Sequence, residues 1–302
     1  MAEEKKNLIS LSVSMIVKNE SSCIRKCLES VKDADEIVIV DTGSTDNTIE
    51  IAKEFTDKIY SGEEYLWRDD FSFSRNQSLA KCTGTWVLVI DADEVLEEGG
   101  IKKLREKIAK TKRNCLRFYL QAERSVFNFR NIRAFKNLSH VQWVSPIHNF
   151  LNISSTESSD NVDIKITFGY SLSHEYDRDR ALRILIRYNE EVPHSSRTLY
   201  YLAREYFFRQ DFENAIKYYK ECVLYSKKRA ELADAYLTLA RCQFYTQRGN
   251  EARDSCAMAV RINPDFKEAL LFMAELHYEP MRSKWIEFSM LAKNTNVLFV
   301  RC

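Results

Sequence analysis

The sequence predicts an α/β domain on a parallel sheet over residues 8–173, followed by an all-α domain of tetratricopeptide-like helical repeats over residues 174–302. Three observations predict it. From Leu8 to about Ile90, short β-branched apolar runs alternate with amphipathic stretches, the pattern of strand–helix–strand units. After about Ser173 the strand pattern stops and helical periodicity runs to the end. Small residues then recur at Ala203, Ala240 and Ala274, with 34 residues from Ala240 to Ala274, the period of a tetratricopeptide repeat.

The runs Leu11–Val17, Glu36–Val40 and Thr85–Ile90 are too short for helices and rich in β-branched residues, so they are expected as strands. Ser22–Val31, Thr45–Phe55 and Phe71–Cys82 are expected as the crossover helices. Ser or Thr near the first two starts, and Asp69 and Asp70 before the third, are suitable caps. Gly99-Gly100 opens a basic helical stretch, and Leu116–Leu120 and Val126–Phe129 are further strand candidates. The Ser-rich segment Asn152–Asn161 has the composition of an exposed hairpin or loop. In the helical part, Ala215 and Tyr219 stand behind Ala203, and Ala252, Cys256, Ala259 and Pro264 stand behind Ala240. Trp285–Ala292 lacks the small residues of a further repeat and is expected as a terminal cap.

Composition narrows the function. The chain has 302 residues, 45% of them hydrophobic, enough for two cores. Lys+Arg (45) and Asp+Glu (44) nearly cancel, so no net charge drives it to nucleic acid or to a membrane surface. No apolar run reaches the roughly 18 residues of a membrane span, and the charged start does not resemble a signal peptide; a cytoplasmic protein is expected. Eight cysteines without metal-type spacing are expected as free thiols.

The chemistry concentrates where the strands end. Val89-Ile-Asp-Ala-Asp-Glu94 is an apolar strand that stops at carboxylates, and such a strand delivers its acids to the carboxyl edge of the sheet. Asp91 and Asp93, separated by Ala92, offer hard oxygen donors suited to Mn²⁺ or Mg²⁺. Asp41 ends the second strand before Thr42-Gly-Ser-Thr-Asp46, and Lys18-Asn-Glu20 ends the first. Three neighbouring strands with polar ends point to a nucleotide site.

The order Ser14–Glu20, Glu36–Asp46, Asp70–Asn76 and Gly84–Glu94 resembles the family 2 inverting glycosyltransferases of the GT-A (Rossmann-like) fold. Those motifs cover about residues 8–98. The rest is similar, more thinly, to the branch with a C-terminal tetratricopeptide region, which includes peptide S- and O-glycosyltransferases.

The resemblance implies that Asp41 contacts the base of a nucleotide-sugar, a UDP-sugar above all, flanked by backbone at Ile16, Val17 and Lys18 with Asn19 and Glu20 beside it. It implies that Asp91 and Asp93 hold ribose and the metal-bound diphosphate and that Arg75 and Asn76 shape the pocket. Arg133-Ala-Phe-Lys136 and Trp143–Asn149 look like a further motif region of this branch, with Arg133 on phosphate and His148 as a metal ligand or a neighbour of the diphosphate. Asn149 stands where the branch carries an acid, and Asn cannot take a proton. Glu94 is then a candidate base by its place beside the metal pair. His174-Glu175 and the aromatics Trp67 and Phe71 carry less weight.

The expected reaction is metal-dependent sugar transfer to a peptide, protein or glycan acceptor, with the helical repeats available for acceptor recognition or a homodimer. A nucleotidyltransferase should carry a Gly-rich basic loop after the first strand, which Val17-Lys-Asn-Glu20 is not. A non-catalytic repeat scaffold with a vestigial nucleotide domain fits poorly with both Asp91 and Asp93 being present.

Overall fold

The computed structural model describes residues 9–123, 128–153, 159–169, 177 and 179–278. The chain divides into two compact units, with the border between Arg180 and Ala181. The border expected near residues 173–174, the His174-Glu175 pair and the terminal cap at Trp285–Ala292 fall outside the described residues.

The first unit is built on an eight-stranded sheet. Strands β1 (Leu11–Val17), β2 (Glu36–Asp41), β3 (Ile59–Tyr60), β4 (Trp86–Val89), β5 (Glu94–Leu96), β6 (Cys115–Ala122), β7 (Asn128–Lys136) and β10 (Ser159–Phe168) take the order β3-β2-β1-β4-β7-β6-β10-β5. β8 (Trp143–Val144) and β9 (Phe150–Leu151) form a separate antiparallel pair. Pairing is parallel from β3 to β4. It turns antiparallel at β4–β7, β7–β6 and β10–β5, so the sheet is mixed rather than wholly parallel. Ser159, Asp160 and Asn161, expected in an exposed hairpin or loop, open β10 and pair with β6.

Helices α1 (Ile24–Val31), α2 (Thr48–Ala52), α3 (Phe71–Lys81) and α4 (Gly100–Lys110) connect these strands. β1, β2 and β4 are buried almost throughout because both faces are covered, and most of their residues are apolar. Ile37 and Ile39 of β2, with Leu88 of β4, meet Ile24, Leu28 and Leu104 from α1 and α4. The alternate residues Val38, Val87 and Val89 meet Leu79 of α3 and Phe135 of β7 on the other face. Each fully buried Ile or Leu there stabilises the fold by about 1.5–3 kcal/mol.

Of the expected caps, Asp70 acts: its carboxylate accepts from Phe73 N at 2.9 Å. α1 starts after Cys23 and α2 after Asn47, neither with a side-chain cap bond of its own. The donor at Thr48 is instead met by Asp46 Oδ1 at 3.0 Å.

At the opposite end of the strands, Glu36 is buried and knits three chain segments together. It accepts from Ser12 Oγ and Lys58 Nζ, from Thr83 N at 2.8 Å and from Thr83 Oγ1 at 2.9 Å. Ser12 Oγ in turn accepts from Gly84 N at 2.8 Å. A Cβ on Gly84 would stand 2.7 Å from Ser12 N, so this close approach of β1 and the turn before β4 requires glycine.

The second unit is helical: α5 (Arg180–Glu191), whose first residue still belongs to the first unit, α6 (Ser196–Phe208), α7 (Phe212–Tyr225), α8 (Arg229–Tyr245), α9 (Gly249–Ile262) and a further helical stretch over residues 267–278. Ala203, Ala215, Ala240, Ala252 and Ala259 are fully buried, and their small side chains let paired helices approach closely. Gln210 and Gln247 turn the chain between α6 and α7 and between α8 and α9 with left-handed backbone, at φ 60° and 61°. The third small residue departs from expectation: Ala274 is exposed, while Ala269, Phe272 and Leu276 are buried. The helix over residues 267–278 therefore buries Ala269, Phe272 and Leu276, with Met273 partly buried against them, in place of a face centred on Ala274. The seven described cysteines are free thiols. Among the described residues no helix is long and apolar enough to cross a membrane.

Candidate active site

β1 and β2 run in parallel register up to Val17 opposite Asp41, and β4 lies on the other side of β1. Their carboxyl ends therefore sit side by side. The loops leaving them are tied to one another. Asn19, left-handed at φ 57°, donates its backbone N to Ser44 Oγ at 2.9 Å and accepts from Thr45 N at 2.7 Å. Glu20 N donates to Thr48 Oγ1 at 2.7 Å and Ser21 N to Asp46 Oδ2 at 3.1 Å. Gly43, at φ 105°, allows the chain after β2 to turn back beneath these bonds.

A cavity of about 460 Å³ opens over this edge, within the size range of small-molecule sites. Ile16, Val17, Lys18, Asn19 and Glu20 line one side, and Asp91, Ala92, Asp93 and Glu94 with Arg75 line another. The remaining wall comes from Thr42, Trp67, Phe71, Phe168, Asp177 and Arg180. Trp67 is held by its backbone N on Thr42 O at 3.1 Å and by its indole N–H on Asp69 at 2.9 Å. Its ring meets Phe71 edge-on at 4.6 Å, and the Arg180 guanidinium stands 5.3 Å from Phe71.

The carboxylates after β4 have distinct surroundings. Asp91 accepts from Arg75 at 2.6 Å and lies 3.7 Å from Arg133. Burial alone would raise its pKa, but the two guanidiniums outweigh it and hold it below the ordinary Asp value. Glu94 is buried, accepts from Asp91 N at 3.0 Å and pairs with Arg133. Burial pushes its pKa up to about 7, Arg133 opposing and the charge of Asp91 adding to the rise. With one oxygen on Arg133 and the other on Asp91 N, Glu94 fixes the turn that carries Asp91 and Asp93. Asp93 faces the cavity and anchors the chain through its carbonyl, which accepts from Gly169 N at 3.0 Å.

Several expected site residues stand elsewhere. Asp41 is buried and accepts from Gly43 N and Ser44 N, at 3.2 and 3.1 Å, so it shapes the turn while neighbouring Thr42 lines the cavity. Asn76 locks α3 to β8, donating to Trp143 O at 2.9 Å and accepting from Trp143 N at 2.7 Å. Arg133 pairs with Glu94 and Asp91 and is not among the residues that line the cavity. His148 is exposed in the turn between β8 and β9, at φ 47°, and is not among the lining residues. Phe168, Asp177 and Arg180 were not anticipated. Phe168 reaches the wall through the pairing of β10 with β5 and β6, which no local motif announces.

Among the described residues, no three His, Cys, Asp or Glu side chains gather into a metal cage. The donor set suits a different kind of site. Mg²⁺ and its analogues are commonly held by one or two carboxylates plus substrate phosphates and water. Asp93, facing the cavity, with Asp91 held ionised beside it by Arg75, fits that arrangement.

The model of the family described as glycosyl transferase family 2 matches residues 12–175. The SPbeta prophage-derived glycosyltransferase SunS of Bacillus subtilis is 30% identical over 267 residues, covering 82% of this chain and 61% of SunS. A TPR repeat-containing protein of Synechococcus elongatus is 37% identical over 148 residues, covering 48% of this chain and 36% of that protein. The chain thus spans between about a third and three fifths of the length of these relatives. Among solved structures, S. aureus TarS 1-349 superposes with a TM-score of 0.50 at 12% identity, over 85% of this chain and 93% of TarS 1-349. That likeness establishes the GT-A fold followed by helices. The match over residues 12–175 and the 30% identity to SunS across most of the chain place it in glycosyl transferase family 2.

Proposed function

We infer that this chain transfers a sugar from a nucleotide-sugar, with a UDP-sugar as the preferred donor, to an acceptor group on a peptide, protein or glycan. The observation that carries this is the cavity at the carboxyl edge of β1, β2 and β4, into which Asp93 faces. Open α/β sheets bind their ligands at that edge.

Each group then has a task. The cross-tied loops 18–21 and 42–48 form a rigid floor for base and ribose, because their backbone positions are fixed by Asn19, Ser44, Thr45 and Thr48 before the donor arrives. Arg75 holds Asp91 ionised and oriented at the cavity wall. Arg133 and Glu94 hold the Asp91–Glu94 turn in place. Asp93 and Asp91 would hold Mn²⁺ or Mg²⁺, which when bound neutralises charge on the departing diphosphate. Trp67 and Phe71 line the far wall, where they would shield the anomeric carbon from water.

Hydrogen–deuterium exchange on the full chain tests this placement. UDP with Mn²⁺ is expected to slow exchange in peptides spanning residues 16–21, 42–48 and 91–94, and chelator is expected to weaken that protection. Protection confined to residues 181–278, or none, would contradict it.

A further inference from the structure

The stretch Trp143–Asn149, which resembles a motif region of the branch, supplies no residue to the cavity lining. It reaches the site through α3 instead. β8 and β9 hold the stretch as a hairpin whose turn carries two left-handed residues, Ser145 at φ 76° and His148 at φ 47°. Left-handed backbone outside glycine persists only where the surroundings enforce it. Here Pro146 and Ile147 are buried, and Trp143 and Leu151 pack on the core that includes Leu79 of α3.

The hairpin fastens α3 at successive points. Phe71 N, one of the donors that a helix start leaves without an intrahelical partner, donates to Pro146 O at 2.8 Å. Asn76 exchanges hydrogen bonds with the backbone of Trp143, at 2.9 and 2.7 Å. Between them the Arg75 guanidinium lies over the Trp143 ring, 5.1 Å from its centroid. Phe71 and Arg75, one turn apart on α3, both line the cavity, so the hairpin sets the helix face that the cavity sees.

Arg75 is the link to the carboxylates. Its side chain is 13% exposed and meets Asp91 through Nη2 at 2.6 Å. Its Nε has no hydrogen-bond partner among the described residues. One contact at the tip of a long side chain leaves the guanidinium plane free to turn about it. The indole face supplies the second constraint, because a planar, weakly hydrated cation stacks on an aromatic ring.

We propose that Trp143 is a positioning residue of the nucleotide-sugar site: its ring fixes the plane of the Arg75 guanidinium, and Arg75 thereby presents Asp91 to the metal-bound diphosphate. The proposal rests on the reading of Asp91 given above and adds to it a residue that does not line the cavity. If Trp143 served only as packing under α3, the effect of replacing it would not depend on the charge at residue 75.

The test titrates UDP in saturating Mn²⁺ into the full chain by calorimetry. Trp143→Leu is expected to bind UDP about five- to thirtyfold more weakly, the scale of a partly desolvated cation–π contact. Trp143→Phe, which keeps a ring face, should recover most of that affinity. On an Arg75→Met background the same Trp143→Leu change should alter the affinity by less than about twofold, because coupled residues lose their joint effect once either is removed. Unaltered affinity in Trp143→Leu would overturn the proposal. So would a loss that Trp143→Phe shares in full, or one that persists undiminished on the Arg75→Met background. An unaltered chain that binds no UDP in Mn²⁺ would overturn the reading of the nucleotide-sugar site as well, which separates that failure from the failure of Trp143 alone.

Discussion

Arg133→Met is expected to destabilise the first unit by about 3–5 kcal/mol, the cost of stripping the partner from a buried ion pair. Arg133 is 11% exposed in its side chain and bridges Glu94 and Asp91. Without it, burial and the charge of Asp91 force Glu94 to take up a proton at neutral pH, with Asp91 N as its remaining donor. Adding Glu94→Gln should recover much of the loss, because a neutral pair in that site carries no unpaired charge. Asp91 keeps Arg75 in either variant. Urea unfolding at neutral pH measures all three proteins, and a double variant as unstable as Arg133→Met alone would show that the loss is one of packing, not of charge.

Glu36→Gln is expected to cost about 3 kcal/mol near neutral pH, with a dependence on acid that identifies its cause. Burial by itself would raise the pKa of Glu36, but donors from Lys58, Ser12 and Thr83 outweigh it and lower the value from 4.5 to about 2. A folded pKa below the unfolded one stabilises the fold above the unfolded value and ceases to do so as pH falls through the folded one. A separation of that size corresponds to about 3 kcal/mol. The stability gap between the unaltered chain and Glu36→Gln should therefore persist at neutral pH and close between pH 4.5 and about 2. A gap independent of pH over that window would contradict the role assigned to the Glu36 carboxylate.

Much of the first unit could be read from the chain because it is locally encoded. β1 spans the residues its apolar run marks, and α3 starts behind Asp70, whose carboxylate caps it. The polar strand ends converge as expected because parallel crossovers bring successive carboxyl ends to one edge. The antiparallel half was less legible. Its pairings join segments far apart in sequence, β4 with β7 and β10 with β5. A signal was present in β10, where Val162, Ile164 and Ile166 alternate with exposed residues; the Ser-rich composition just before them obscured it. Spacing alone also aligned Ala274 with Ala240, whereas Ala269, Phe272 and Leu276 are the residues that fill the core there.

In the site, sequence identified residue types better than their tasks. Asp91, Asp93 and the Ile16–Glu20 stretch line the cavity. Asp41, Asn76 and Arg133 instead hold the loops and turns that frame it, since a motif records which side chains are present and not which way the backbone turns them. His148 is carried outward by a left-handed turn that no spacing rule predicts.

The most direct measurement is the release of nucleoside diphosphate from a panel of nucleotide-sugars by the full chain, with pooled peptide and glycan acceptors, in Mn²⁺ or chelator, set against Asp93→Asn. The account predicts release from at least one UDP-sugar that stops on chelation and falls at least ~100-fold in Asp93→Asn, the scale of losing one group that stabilises charge in the transition state. Release that continues undiminished in chelator and in Asp93→Asn, or no release from any donor, would contradict it.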